Sequence, residues 1–404
     1  MDDLADMTIG QRVRHFRQRA GMTRAVLGGL VGRSDEWVKA VETDRLQMPR
    51  LPLLLRLAEV LKVDDLGQLT GEQKLTTSAF TKSAHEALPQ VARALATYPV
   101  LTSGITPVTA TELAERVTQL WELWHGTKRQ RTAIASFLPD LLQDGQIATR
   151  LLDGADRRSA YRSLAQIYHL TQLFLCFQPV PELIYLASDR AFAAAQEADD
   201  SRAIAVAAWY LNGYLRDSGQ QHEERVQLAT DTTQLLRPDE NTEDRALWGL
   251  LQLAPALSYA KIGQDGTAWH YWDAAHQAAR SLPEGYVHPF MIFGTGMVDA
   301  YAITLHTDLI HGREAIRAAN RLDLSAMPSA TRRSFHSIET ARAYHQRREP
   351  VATVHFLRKA YDESPDTVQF NVFTRAAVPE LRARGGSIIR SEVDDLARKL
   401  DLTG

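Results

Sequence analysis

Between Ile9 and Arg50 this 404-residue sequence holds nine Lys or Arg against four Asp or Glu, although the chain as a whole carries a net charge of −3. Cations concentrated on one short stretch suit an anionic partner, because guanidinium forks and ammonium groups pair with phosphate oxygens. Arg24, Arg33, Lys39, Arg45 and Arg50 are the candidates for that chemistry. Among them stand Ser34, Asp35, Glu36, Trp37 and Thr43, whose hydroxyls, carboxylates and ring are groups that can read base edges in a groove. Each has a plainer alternative. Asp35 and Glu36 either accept from cytosine amino groups or simply favour the positive end of a helix. Trp37 either stacks on a sugar or thymine methyl or seals a core or dimer. Arg45 and Arg50 follow in a loop and suit phosphate better than bases.

Short helices must position these side chains. Ile9, Val13 and Phe16 share one stripe at helical spacing, with Arg12, Arg14, Arg17 and Arg19 forming a basic exterior. Gly21 closes that helix and Thr23 caps a second, Arg24 to Val31, with Val26, Leu27 and Leu30 as its apolar positions. Gly32 permits a sharp turn, and Ser34 caps a third helix, Asp35 to Thr43. Val38 and Val41 point to the core of this helix, leaving Asp35, Glu36, Trp37, Lys39 and Ala40 outward. A fourth helix runs to about Leu61 and a short fifth starts near Asp64.

The run GMTRAVLGGLVGRSDEWVKAVETDR followed by RLPLLLRLAEVLKV resembles the Cro/repressor-type (XRE-type) helix-turn-helix domain, over about one sixth of the chain. The resemblance implies that the third helix lies in the major groove of double-stranded DNA, while Arg24 opens the second helix near the backbone. Two positions depart from the pattern. Leu27-Gly28 stands where the family usually has Leu-Ala, and Asp44 stands where a glycine usually closes the recognition helix. Asp tolerates the left-handed conformation, whereas Gly28 is expected to loosen the second helix by ~1 kcal/mol relative to Ala.

The rest of the chain reads as all-α, without an alternating strand pattern. After a mixed stretch at 71–109, read as a linker with a possible helix, helical segments follow in pairs that repeat at roughly 34 to 45 residues, the arithmetic of an α-solenoid. TRRSFHSIETARAYHQRREPVATVHFLRKAYDESPDT resembles a tetratricopeptide repeat in its Ala341, Tyr344, Ala352, Phe356, Ala360 and Pro365. The expected organisation is a helix-turn-helix domain at 1–70, the linker, and a tetratricopeptide-like solenoid at 110–404. Together the two resemblances imply the architecture of peptide-sensing, quorum-sensing regulators of bacteria, whose bodies dimerise and respond to a peptide or small signal. On that reading Asn212 is the candidate to hold a peptide backbone, since its amide donates and accepts at once. Trp209, Tyr168, Gln252 and Tyr259 are candidates to wall the same groove. Capping for Asn212 and solenoid packing for the aromatic residues are the alternatives. GYVHPFMIFGTGM either lines that groove or tucks over the core.

Other chemistries find no pattern. GTG at 294–296 is too short for a phosphate loop, the thirteen histidines lack metal-ligand spacing, and adjacent carboxylates at Asp199-Asp200 and Asp394-Asp395 point apart. The expectation is no enzyme, no cofactor and no metal. A single cysteine, Cys176, suits a reducing cytoplasm, and no leader or membrane segment is expected. The sequence thus points to a ligand-responsive, homodimeric transcriptional regulator acting on a pseudo-palindrome. The alternative is an interaction scaffold whose helix-turn-helix does not bind DNA.

Overall fold

In the computed structural model, residues 4, 7–46, 48–71, 82–218, 222–384 and 386–402 are described. They form twenty-two α-helices and no strand among the described residues, an all-α chain. Five make an N-terminal head: α1 Ile9–Arg19, α2 Arg24–Leu30, α3 Asp35–Glu42, α4 Leu51–Leu61 and α5 Leu66–Thr70. Thr8 and Gln11 close a capping box at the start of α1. Val13, Phe16, Leu27, Val38, Val41, Leu54, Leu57 and Leu69 fill the head's core.

Three expectations for the head are corrected. Arg12 and Arg17 are buried rather than exterior. Arg12 donates to the carbonyls of Met7 (3.0 Å) and Gln68 (3.2 Å), tying the start of α1 to the end of α5. Val26 and Leu30 lie about half exposed, at 49% and 47%. They are four residues apart on one face of a two-turn helix, and the neighbouring face, with Leu27, is the one that turns inward. Ala40 is fully buried, because α3 packs against both α1 and α2 and needs a wider apolar face than Val38 and Val41 provide.

The rest of the chain forms a body of neighbouring helices packed pairwise. It comprises α6 Leu88–Ala96, α7 Ala110–Gly126, α8 Gln130–Ala135, α9 Leu138–Leu151, α10 Gly154–Leu175, α11 Pro181–Glu197, α12 Ser201–Ser218 and α13 His222–Thr233. It continues with α14 Thr242–Lys261, α15 Asp265–Arg280, α16 Thr295–Asp308, α17 Gly312–Arg321, α18 Ala330–Gln346, α19 Pro350–Glu363, α20 Pro365–Phe370, α21 Val372–Arg384 and α22 Arg390–Lys399. One apolar core runs from Leu88 to Met327, and a second gathers Ile338 to Leu400. Within the stretch read as a linker, Leu88, Val91 and Leu95 are buried in the first of these cores, so α6 packs as part of the body. The segment 285–294 also packs inward. Met291 and Phe293 are fully buried, and Phe290 stacks on Trp121 while its carbonyl accepts from His125 Nε2 at 2.9 Å.

Candidate nucleic-acid interface

The turn between α2 and α3 is built from backbone geometry. Thr23 accepts from the Val26 amide at the start of α2, Gly32 takes φ +67°, and Ser34 Oγ accepts from the Trp37 amide at 3.0 Å to start α3. The Arg33 amide closes onto the Gly28 carbonyl at 2.8 Å. Gly28 is required by this closure, since a Cβ there would lie 2.7 Å from the Arg33 carbonyl oxygen. At the other end of α3, Asp44 adopts the left-handed φ of 51° that the sequence led us to expect. Its carboxylate accepts from the Thr8 hydroxyl (2.6 Å) and the Gly10 amide (3.2 Å), so α3 is also locked to α1.

Charge on the head is organised around two acids. Glu42 is buried and accepts from Arg17 at 2.5 Å and Arg24 at 2.7 Å. Burial pushes its carboxyl up, but the two guanidinium groups outweigh that and hold it below the usual carboxylate range. Arg24 is thus half-buried and committed within the head. Glu36 pairs with Lys39 at 3.0 Å and lies 3.9 Å from Arg45. Asp35, Lys39, Thr43 and Arg50 are exposed, while Trp37 is half-buried against the head's core with the Arg33 guanidinium 5.9 Å from its ring. The Thr43 hydroxyl donates to the Lys39 carbonyl at 2.8 Å.

The structure adds neighbours that sequence reasoning missed. Arg348, between α18 and α19, donates to the Thr43 carbonyl at 2.8 Å. Gly263, in the turn between α14 and α15 at φ +79°, meets Ser34 so closely that a methyl group on it would overlap the serine Cβ. Burial pushes the Arg33 guanidinium down from its ordinary value, with Asp308 of the body pulling it back. Both ends of α3 therefore touch the body. A cleft of about 620 Å³ remains between them, lined by Lys39, Thr43 and Arg45 of the head and by Arg313, Arg347 and Arg348 of the body, among others.

The five candidate sensor residues are not gathered at this cleft. Asn212 is buried and donates to the Arg225 carbonyl at 2.6 Å, linking α12 to α13. Trp209 is buried edge-on to Tyr301, and Tyr168 is buried with its hydroxyl 3.3 Å from Gln146 Nε2. Gln252 borders a cavity of about 40 Å³ beside Tyr271, on which Tyr259 stacks at 5.8 Å. Among the described residues, no group of three or more His, Cys, Asp or Glu is placed to hold a metal ion. No described helix is long and apolar enough to cross a membrane.

With this geometry in view, the head has the arrangement of a helix-turn-helix domain, the class found in DNA-binding regulators. Residues 8–68 match the family described as helix-turn-helix domain. No curated protein and no solved structure matches the chain.

Proposed function

We propose that this chain is a cytoplasmic, non-enzymatic transcriptional regulator of the Cro/repressor type, which binds a pseudo-palindromic DNA operator as a homodimer. Its tetratricopeptide-like body binds a peptide or small signal molecule. The observation that carries the reading is the α2–α3 unit within the matched residues 8–68, with Asp35 and Lys39 exposed along α3, Thr43 exposed at its C-cap and Arg50 beyond it. A helix of this kind enters the major groove by its N-terminal residues, and cations around it clamp phosphates.

The test is selection of bound fragments from random duplex DNA by the full chain at near-physiological salt in a phosphate-free buffer. A recovered motif with two-fold symmetry is the expected result, and the absence of enrichment overturns the reading. On the selected site, Arg33→Ala with Lys39→Ala abolishes specific binding and lowers the salt slope by about 0.9 for each phosphate that is no longer neutralised.

A further inference from the structure

The cleft between α3 and the body is unusual in its charge. Five cations face it, Lys39 and Arg45 from the head and Arg313, Arg347 and Arg348 from the body, whereas Glu314 is the carboxylate on its wall. Glu36 offsets part of the charge of Lys39 and Arg45. Asp308, the acid of the body that acts on Arg33, is already paired with Arg342 at 3.1 Å. Arg313 and Arg347 are exposed and make no side-chain ion pair among the described residues. Like charges on two facing surfaces oppose closure unless an anion sits between them.

The wall also presents the start of α17, a ten-residue helix whose N-cap, His311, makes no side-chain capping bond. Its first amides and the positive end of the helix dipole add to the arginines as a phosphate cradle. A volume of about 620 Å³ lies within the ~300–1,000 Å³ of small-molecule sites. A DNA duplex does not fit it, because the body meets both ends of α3, at Ser34 through Gly263 and at the Thr43 carbonyl through Arg348.

We propose that this cleft binds a small, multiply charged anion of the phosphate class, and that the bound anion holds the head on the body with its DNA-reading helix turned toward the body and out of reach of a duplex. This rests on the regulator reading and names the ligand chemistry and the site through which DNA binding is controlled. A ligand shifts such an equilibrium only by its preference for one arrangement, and an anion held by cations of both surfaces prefers the closed one.

The test uses the full chain in phosphate-free buffer with inorganic pyrophosphate as probe, followed by calorimetry and by hydrogen exchange of the α3 amides. Wild type is expected to bind the probe and to slow exchange across residues 35–42. Arg313→Glu with Arg347→Glu, which leaves the head untouched, is expected to weaken probe binding at least tenfold and to remove the added protection. Pyrophosphate should also weaken operator binding in wild type and not in the double variant. No binding, binding unchanged in the variant, or binding without added protection of α3 overturns the proposal. A chain that binds pyrophosphate in this way yet no duplex at all overturns the regulator reading instead, so the two failures are told apart. A circular dichroism melt of the double variant that matches wild type shows that weakened binding does not reflect unfolding.

Discussion

Glu42 sits between Arg17 and Arg24 with its carboxylate fully enclosed, at 2.5 and 2.7 Å from the two guanidinium groups. Replacing it with Ala leaves Arg17 buried without its counter-ion, and breaking a buried pair in this way costs about 3 to 5 kcal/mol. Glu42→Ala is therefore expected to melt the head well before the body, as two separated transitions in calorimetry. A single unchanged transition would show the pair to be dispensable. The sign of the pH effect follows from the lowered carboxyl. A carboxylate held below its unfolded value adds stability above about pH 4.5 and loses it as the pH falls through the lower folded value. Acid should thus loosen the wild-type head below about pH 4.5 and have less effect on the variant. None of this was legible in the sequence at residue scale. Arginine is mostly an exposed residue, and the acid that draws Arg17 inward lies 25 positions further on. The caps were legible, because Thr23, Ser34 and Asp44 each act on amides or turns next to themselves.

Elements with local start and stop signals match their sequence-based expectations to within a residue or two, as α2 and α3 show. Where a tertiary contact sets the boundary, they do not. Periodicity alone predicts one helix from Thr127 to Asp144, but the stretch holds α8 and the start of α9, broken at Ser136–Phe137, and only Pro139 near the start of α9 signals the break. Periodicity likewise predicts one helix from Thr367 to Ala383, but the stretch divides at Asn371, where neither Gly nor Pro marks it. Gly28 shows the same limit in α2. Propensity alone makes Ala better by ~1 kcal/mol at an unhindered helix position, but the Arg33 carbonyl occupies the space an alanine methyl would need. Gly28→Ala is expected to lower the melting temperature of the head, and a rise would show that the turn relaxes at little cost. In the body, α10 and α18 each bury a histidine, His169 and His336, with both ring nitrogens unpartnered among the described residues. Burial holds each ring neutral, pushing it down to about 3. An unfolded histidine takes up a proton as the pH drops through about 6.5 while these do not, so the body loses about 1 kcal/mol per histidine for each pH unit below that value, until the folded rings also titrate. His336→Phe should flatten the fall in body melting temperature between pH 6 and 4, and a parallel fall in variant and wild type would exclude His336 as its source.

Across the whole molecule, the head and body each follow from nearby sequence, whereas the way they meet does not. Thr43 and Arg348 are 305 positions apart, and no motif marks Gly263 as a partner of Ser34. That meeting decides how α3, the helix proposed to read DNA, is presented. If the closed arrangement predominates, the apparent operator affinity is the intrinsic affinity reduced by the fraction of molecules that are open. Gly263 offers a way to change that fraction without touching the head. A methyl group there overlaps Ser34 only when the head is closed, while the strain of alanine at φ +79° is borne by the turn in either arrangement. Gly263→Ala should therefore bind the selected operator more tightly than wild type, by about tenfold for each 1.4 kcal/mol of added strain in the closed form. Anisotropy titration at fixed salt in phosphate-free buffer measures it. A variant that melts like wild type but binds with unchanged affinity would mean that closure does not limit DNA binding. Weaker binding would assign the Gly263 turn a supporting role in the DNA-bound state.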